Sequence, residues 1–162
     1  MKVGFRPAVD EDRDAVRDIF NYYATHGHAV YREDEIDGSI FDFFAKDAFA
    51  FLVAENPRDG IVGFGALRKY KPAATFDRTG VLTYFLKPDF AGWGIGTRLL
   101  SELSDIARRR RIRNLLAHIS SRNLPSLRFH VKHGFAEVGR LHDVGVKFGE
   151  PFDVVWVQKR LD

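Results

Sequence analysis

The stretch Val81-Leu82-Thr83-Tyr84-Phe85-Leu86-Lys87-Pro88-Asp89-Phe90-Ala91-Gly92-Trp93-Gly94-Ile95-Gly96-Thr97 decides how this chain is read. Val81 to Leu86 is apolar and aromatic and stops before Pro88, which predicts a strand. Leu99, Leu103, Ile106 and Ala107 recur at helical spacing directly after the glycines. The unit is therefore a strand, a glycine-rich turn and a helix. A helix N-terminus has unpaired N–H groups and a partial positive charge, and glycine lets a phosphate come close to the backbone. Gly92, Gly94 and Gly96 read as a cradle for a phosphate or pyrophosphate, or else as a tight strand-to-helix turn with no ligand. Two nucleotide motifs are excluded. The ATP-binding P-loop needs Lys before Ser/Thr, and Gly96-Thr97 has none. The dinucleotide fingerprint needs glycine where Thr97 stands and an acid about 20 residues on, where Ala117-His118-Ile119 offers none.

The flanks extend the pattern. Before this unit, Val3 to Arg6 predicts a short strand, and Asp10 a helix N-cap. Ala15, Val16, Ile19, Phe20, Tyr23 and Ala24 form a helical stripe that Gly27 stops. A shorter helix is expected from Ser39 to Asp47. Phe49 to Glu55 and Ile61 to Leu67 predict a hairpin around Asn56-Pro57-Arg58-Asp59-Gly60, followed by a long polar loop from Arg68 to Thr79. After the unit, Asn114 to Ser120 predicts a strand, and Asn123-Leu124-Pro125 opens a helix to Lys132. Strands near Phe135 to His142 and Asp153 to Lys159 close the chain. The order implies a single mixed α/β layer, with no linker or repeat.

Composition narrows the classes. The 162 residues, 45% hydrophobic and 29% charged, fit one domain over residues 1–162. The absence of cysteine excludes disulfides, a cysteine nucleophile and thiolate metal sites. No apolar run reaches the roughly 20 residues of a membrane span, and the N-terminus has no signal-peptide core. A cytoplasmic location is therefore expected, with no membrane partner. The net charge of +3 is near balance. The run Arg108-Arg109-Arg110-Arg111 falls at a helix C-terminus, where the dipole favours cations, so nucleic acid is not expected as a partner. His26, His28, His133 and His142 show no ligand spacing, and no metal is expected.

Five segments carry a resemblance: Leu82-Thr83-Tyr84-Phe85-Leu86-Lys87-Pro88, Gly92-Trp93-Gly94-Ile95-Gly96-Thr97, Ser121-Arg122-Asn123-Leu124-Pro125-Ser126, Phe129-His130-Val131-Lys132-His133-Gly134-Phe135 and Val144-Gly145-Val146-Lys147-Phe148-Gly149. The chain resembles the GNAT acetyltransferase superfamily, in its phosphinothricin and methionine sulfoximine N-acetyltransferase-like branch. The resemblance implies a mostly antiparallel sheet flanked by helices, with two parallel central strands splayed apart. It implies acetyl-CoA as donor and a small amine as acceptor. Backbone of Tyr84, Phe85 and Leu86 would pair with the pantetheine arm as an added strand. The turn Gly92, Trp93, Gly94, Ile95, Gly96 and Thr97 would cradle the pyrophosphate. Asn123 would bond the cofactor arm, Ser126 would support that turn, and His130 would stand near the sulfur as the catalytic residue. Lys71, Thr75 and Phe76 lie in the expected substrate loop. Homodimers are common in this branch.

The chain departs from its relatives at three places. Val81 stands where relatives usually carry a Glu base, Phe152 where some carry His before Asp153, and Ala91 where the turn usually begins with Arg or Gln. His118 has a near-neutral reference pKa and reads as a substitute base or as a packed strand histidine. Three functions remain open: an N-acetyltransferase of a small amine, perhaps an amino-acid analogue; a peptide or protein N-acetyltransferase; and a non-catalytic acyl-CoA binding or sensing module, which Val81 motivates.

Overall fold

The computed structural model describes residues 1–162. Its strands form one seven-stranded sheet in the order β1-β2-β3-β4-β5-β7-β6. One antiparallel half contains β1 (Gly4–Pro7), β2 (Ala48–Asn56), β3 (Gly60–Lys69) and β4 (Thr79–Leu86). The other contains β5 (Asn114–Ser120), β6 (Ala136–Lys147) and β7 (Glu150–Arg160). The halves meet at one parallel pair, β4 and β5. The mixed, mostly antiparallel sheet is as expected.

Alternation along the strands decides which helix covers which face. Helices α1 (Arg13–Thr25) and α2 (Ser39–Ala45) bury Val16, Ile19, Phe20, Ile40, Phe41 and Phe44 against Val53, Phe64 and Ala66. On the other face, α3 (Ile95–Arg109) buries Leu99, Leu103 and Ala107 against Leu67, Leu82, Leu115 and Ala117. Leu99 and Leu103 are fully buried, and truncating either to Ala costs roughly 2–5 kcal/mol. Because Leu115 and Ala117 face α3, Leu116 and His118 project to the α1–α2 face. By the same alternation, Val81, Thr83 and Phe85 share that face, whereas Leu82 and Tyr84 face α3 and α4 (Leu124–Lys132).

The parallel pairing is short. Thr79, Gly80 and Val81 pair with Asn114, Leu115 and Leu116, and there the ladder stops. Beyond it, β4 stays paired to β3 as far as Leu86 with Gly63, and β5 stays paired to β7 as far as Ser120 with Val154. Each strand keeps its outer neighbour, so only the inner edges of residues 82–86 and 117–120 lack a strand partner.

Several local expectations change. Asp10 is not a helix cap: residues Asp10–Asp12 form a 3₁₀ turn and α1 begins at Arg13. The cause is a half-buried pair, in which Arg6 donates to both oxygens of Asp12 at 2.8 and 2.9 Å and the Val9 N–H to one of them at 2.9 Å. The second helix ends at Ala45, because Lys46 is extended and Asp47 has φ +56°. The last two strands are longer than expected and are joined by Phe148-Gly149, with φ +53° and +75°, as in a two-residue hairpin turn. Phe is an unusual residue there, so the turn carries no composition signal. No helix is long and apolar enough to cross a membrane.

Candidate active site

Where β4 and β5 diverge, a cleft of about 880 Å³ opens through the sheet, within the range of small-molecule sites. One end of it lies under the start of α3. Gly94 caps that helix with φ +79°, and Gly92 has φ +81°, a conformation that costs a residue with a Cβ roughly 1–2 kcal/mol. The first helical bond runs from the Arg98 N–H to the Gly94 carbonyl at 3.1 Å, so the amides of Ile95, Gly96 and Thr97 have no helical partner. A Cβ on Gly92 or Gly94 would meet nothing within 4 Å, and one on Gly96 only Phe129 at 3.7 Å and then Leu86. The turn is an open cradle of free amides, which fits a pyrophosphate. Ile95 anchors it by burying its side chain with Val3, Ala54 and Val62. Trp93 is 64% exposed and does not line the cleft.

Around this end, Tyr84, Phe85 and Leu86 line the cleft on the open edge of β4. The Leu86 carbonyl accepts from the Tyr23 hydroxyl at 2.5 Å. Asn123 caps α4, its Oδ1 accepting from the Ser126 N–H at 3.4 Å, and its amide nitrogen has no partner in the protein. His130 is buried in the wall. Its Nδ1–H donates to the Ser126 carbonyl at 2.7 Å, which leaves Nε2 to accept from the Tyr84 hydroxyl at 2.5 Å. Burial lowers the His130 pKa, against the Ser126 carbonyl, which raises it. Burial pushes the Tyr84 phenol far above its ordinary value.

The other end, between the sheet and α1–α2, is aromatic and cationic. Phe20, Phe43, Phe44 and Tyr31 line it together with Arg32 and Arg68, and no Asp or Glu lines the cleft. The Arg68 guanidinium sits 4.1 Å over the Phe43 ring, and its Nε–H donates to the Lys46 carbonyl at 3.4 Å. Burial lowers the Arg68 pKa, with the Asp47 charge opposing.

Residues 11–156 match the family model for an acetyltransferase (GNAT) domain. The chain belongs to the GNAT acetyltransferase family. An L-methionine sulfoximine/L-methionine sulfone acetyltransferase of Salmonella typhimurium is 29% identical over 93% of this chain and 90% of its own. A phosphinothricin N-acetyltransferase of Alcaligenes faecalis is 31% identical over 94% and 80%. Among solved structures, an acetyltransferase of Salmonella typhimurium with its cofactor acetyl-CoA superimposes with TM-score 0.88 at 28% identity, covering 100% of this chain and 95% of that one.

In this GNAT protein the sequence-derived site residues fall into three groups. Tyr84, Phe85, Leu86, Gly96, Asn123, Ser126 and His130 all line the cleft, whereas Gly92, Trp93, Gly94, Ile95 and Thr97 form the turn at its end without lining it. Lys71, Thr75 and Phe76 do neither: they sit in an exposed loop that packs on itself, with Lys71 Nζ 5.2 Å from the Tyr70 ring centroid and Phe76 edge-on to Tyr70 at 5.6 Å. Val81 lines the cleft, and Thr83 follows it on the same face. Sequence reasoning missed Tyr31 and Arg68. Tyr31 lies between α1 and α2 in a segment without periodicity, and Arg68 sat at the border of a strand and a polar loop. No group of three or more His, Cys, Asp or Glu is placed to hold a metal ion.

Proposed function

We propose that this protein transfers the acetyl group of acetyl-CoA to the amine of a small molecule that also carries an anionic group and an apolar body, as an apolar amino acid or its analogue does. The observation that carries this reading is the acceptor end, where Arg68, several aromatic rings and Arg32, itself paired with Asp34 at 3.2 Å, line the cleft and no carboxylate is part of the lining. A guanidinium suits a planar carboxylate or a phosphinate, and the rings suit an apolar side group. A polyamine or an aminosugar with several ammonium groups would find no carboxylate in that lining.

On the donor side, the amides of Gly92 to Thr97 would hold the pyrophosphate, the open edge of residues 82–86 the pantetheine amides, and the Asn123 amide nitrogen the arm. Acetyl-CoA supplies an activated acyl group. Holding both partners in one cleft is worth up to about 7–11 kcal/mol of barrier, and a backbone N–H on the splayed strand is available to the carbonyl oxygen. Tyr84 can turn its hydroxyl from His130 Nε2 toward charge developing in the cleft. A thiol of ordinary pKa about 8.5 leaves as a weaker base than a tyrosinate of about 10 or more, so Tyr84 contributes a hydrogen bond and keeps its proton. His130 positions that hydroxyl.

The same proposal includes a homodimer. Most of β6 is exposed at the sheet edge and carries Val138, Leu141, Val144 and Val146, each more than half exposed. Light scattering after size exclusion would read a dimer mass for the wild type and a monomer for Val146→Glu. A wild-type monomer overturns that part.

Acetyl-CoA-dependent thiol release, followed with a thiol-reactive dye, tests the function, and the chain adds no thiol of its own. The panel holds phosphinothricin, methionine sulfoximine, small and large apolar amino acids, polyamines and short peptides. Turnover is expected with the amino acids and analogues, with the apolar ones preferred over spermidine by a wide margin. Preference for polyamines refutes the acceptor class. Release at the buffer rate with every amine, despite tight acetyl-CoA binding, restores the non-catalytic reading.

A further inference from the structure

Val81 leaves this acetyltransferase without a carboxylate base, yet one imidazole stands on the same face across the gap. Val81 pairs with Leu116 in the parallel register, and His118 lies two residues, roughly 7 Å of strand, further along β5 on that face. His118 lines the cleft. Its Nδ1 is 2.9 Å from the Tyr31 hydroxyl, and the two rings stack at 5.6 Å and 12°. Trp156 of β7 packs on the imidazole at 4.9 Å. Its Nε2 has no partner in the protein.

The clamp is itself supported from distant elements. Tyr31 stacks on Phe152 at 5.6 Å and 16°. Gly145 makes room for that ring, since a Cβ there would run into it. The buried Lys147, 1% exposed, donates from Nζ to the Val30 carbonyl at 2.6 Å and to the Tyr23 carbonyl at 3.1 Å. The tip of the β6–β7 hairpin therefore fixes the segment that delivers Tyr31. The result is an imidazole with a fixed orientation and one nitrogen free, on the face where the acceptor must bind.

We propose that His118 is the general base of this enzyme: its Nδ1–H donates to the Tyr31 oxygen, and its free Nε2 takes a proton from the acceptor ammonium. The inference rests on the acetyl-transfer reading above and deepens it. The ammonium loses one proton to Nε2, giving an imidazolium and a free amine. The amine lone pair forms the C–N bond, the C–S bond breaks, and sulfur leaves with the electron pair. The second proton lost from nitrogen goes to the thiolate, and the imidazolium returns its own to solvent through the open cleft. Ammonium and thioester thus become amide, thiol and one proton. His118 and Tyr31 remain partly open to the cleft, and the desolvation they do meet there lowers the His118 pKa and pushes the Tyr31 phenol up to about 12. The titratable and charged groups around it are Tyr31 and Arg32 from the segment between α1 and α2 and Arg68 from β3, whereas β4 presents Val81 and Thr83 and β7 presents Trp156.

The experiment compares wild type and His118→Gln in kcat/KM for the best amine against pH, with acetyl-CoA affinity and Tm as folding controls. A general base contributes typically about 10²–10⁴-fold. The expected result is a loss of at least about tenfold at pH 7, an acidic limb that flattens, unchanged acetyl-CoA affinity, and partial rescue of His118→Ala by added imidazole. A smaller loss, or an acidic limb that stays in place, overturns the role. Should the variants not fold, ¹⁵N NMR of the wild-type histidines decides. A proton on Nδ1 and a bare Nε2 at high pH, with a titration that tracks the acidic limb, support the assignment, and the opposite tautomer overturns it. Absence of amine-dependent turnover in the wild type itself overturns the acetyl-transfer reading and the base with it, whereas full turnover in His118→Gln overturns only the base.

Discussion

Gly96→Ala separates a ligand cradle from a plain turn. Gly96 is the second residue of α3, and its φ is not positive, so alanine fits the backbone without strain. The added Cβ would find Phe129 at 3.7 Å and Leu86 at 3.8 Å, which are ordinary contacts. Alanine in a helix is better than glycine by roughly 0.5–1 kcal/mol. At the first turn the lower part of that range applies, or about 1–3 °C in Tm for a chain of this size. The same methyl group would fill the space through which a phosphate reaches the Gly96 N–H. Losing one hydrogen bond to a charged group is worth about 1.5–3 kcal/mol, or roughly ten- to a hundredfold in Kd. Calorimetric titration with CoA and a melting scan read both effects on the same sample. Pantetheine, which lacks the pyrophosphate, is expected to bind both proteins alike. A Tm that rises with CoA affinity intact within twofold would show that the glycine serves only the turn. A Tm that falls by several degrees would refute the packing argument itself.

Three further outcomes follow from the site. Arg68→Gln should raise the KM of an anionic acceptor about ten- to a hundredfold, the worth of one charged hydrogen bond, and leave the KM of acetyl-CoA alone; an unchanged acceptor KM removes Arg68 from recognition. Tyr84→Phe should lower kcat by about tenfold or more and also lower Tm by several degrees, since it leaves the buried His130 Nε2 without its partner at a cost of roughly 1–3 kcal/mol, and an unaltered kcat would end its part in the reaction. Stability should fall with acid below about pH 6.5. Burial lowers the pKa of both His118 and His130, and the unfolded imidazole titrates near 6.5. Between the folded and unfolded values the unfolded chain binds more protons, so stability rises with pH through that window and is lost as pH falls. Tm measured from pH 7.5 to 5 checks this, His130→Gln should flatten the slope, and a Tm that climbs toward pH 5 contradicts it.

Much of the donor end was legible because its information is local. The strand, the three glycines and the helical stripe of Leu99, Leu103 and Ala107 lie within one run of residues, and their spacing alone sets the order strand, turn, helix. Asn123 was legible as a helix start for the same reason, whereas Ser126 came only with the resemblance. Boundaries were less so, because pairs such as Arg6 with Asp12 override the intrinsic preference of Asp10 for a cap. The loop of Lys71, Thr75 and Phe76 was placed by resemblance, and its course around Tyr70 follows from packing that no local pattern announces.

The sequence by itself determined that this chain forms one mixed layer with a glycine turn between a strand and a helix, and that no carboxylate stands at position 81. It also held Tyr31, Arg68, His118 and Lys147, but nothing in their neighbourhoods relates them. Tyr31 and His118 are 87 residues apart, and Lys147 reaches Val30 across 117. Their meeting depends on where the β4–β5 ladder stops, on which face each side chain takes, and on the hairpin tip that pins the segment after α1. Those are properties of register and packing. A one-residue slip of β5 would send His118 into the α3 core and leave the cleft without a base, and only the tertiary structure fixes that choice.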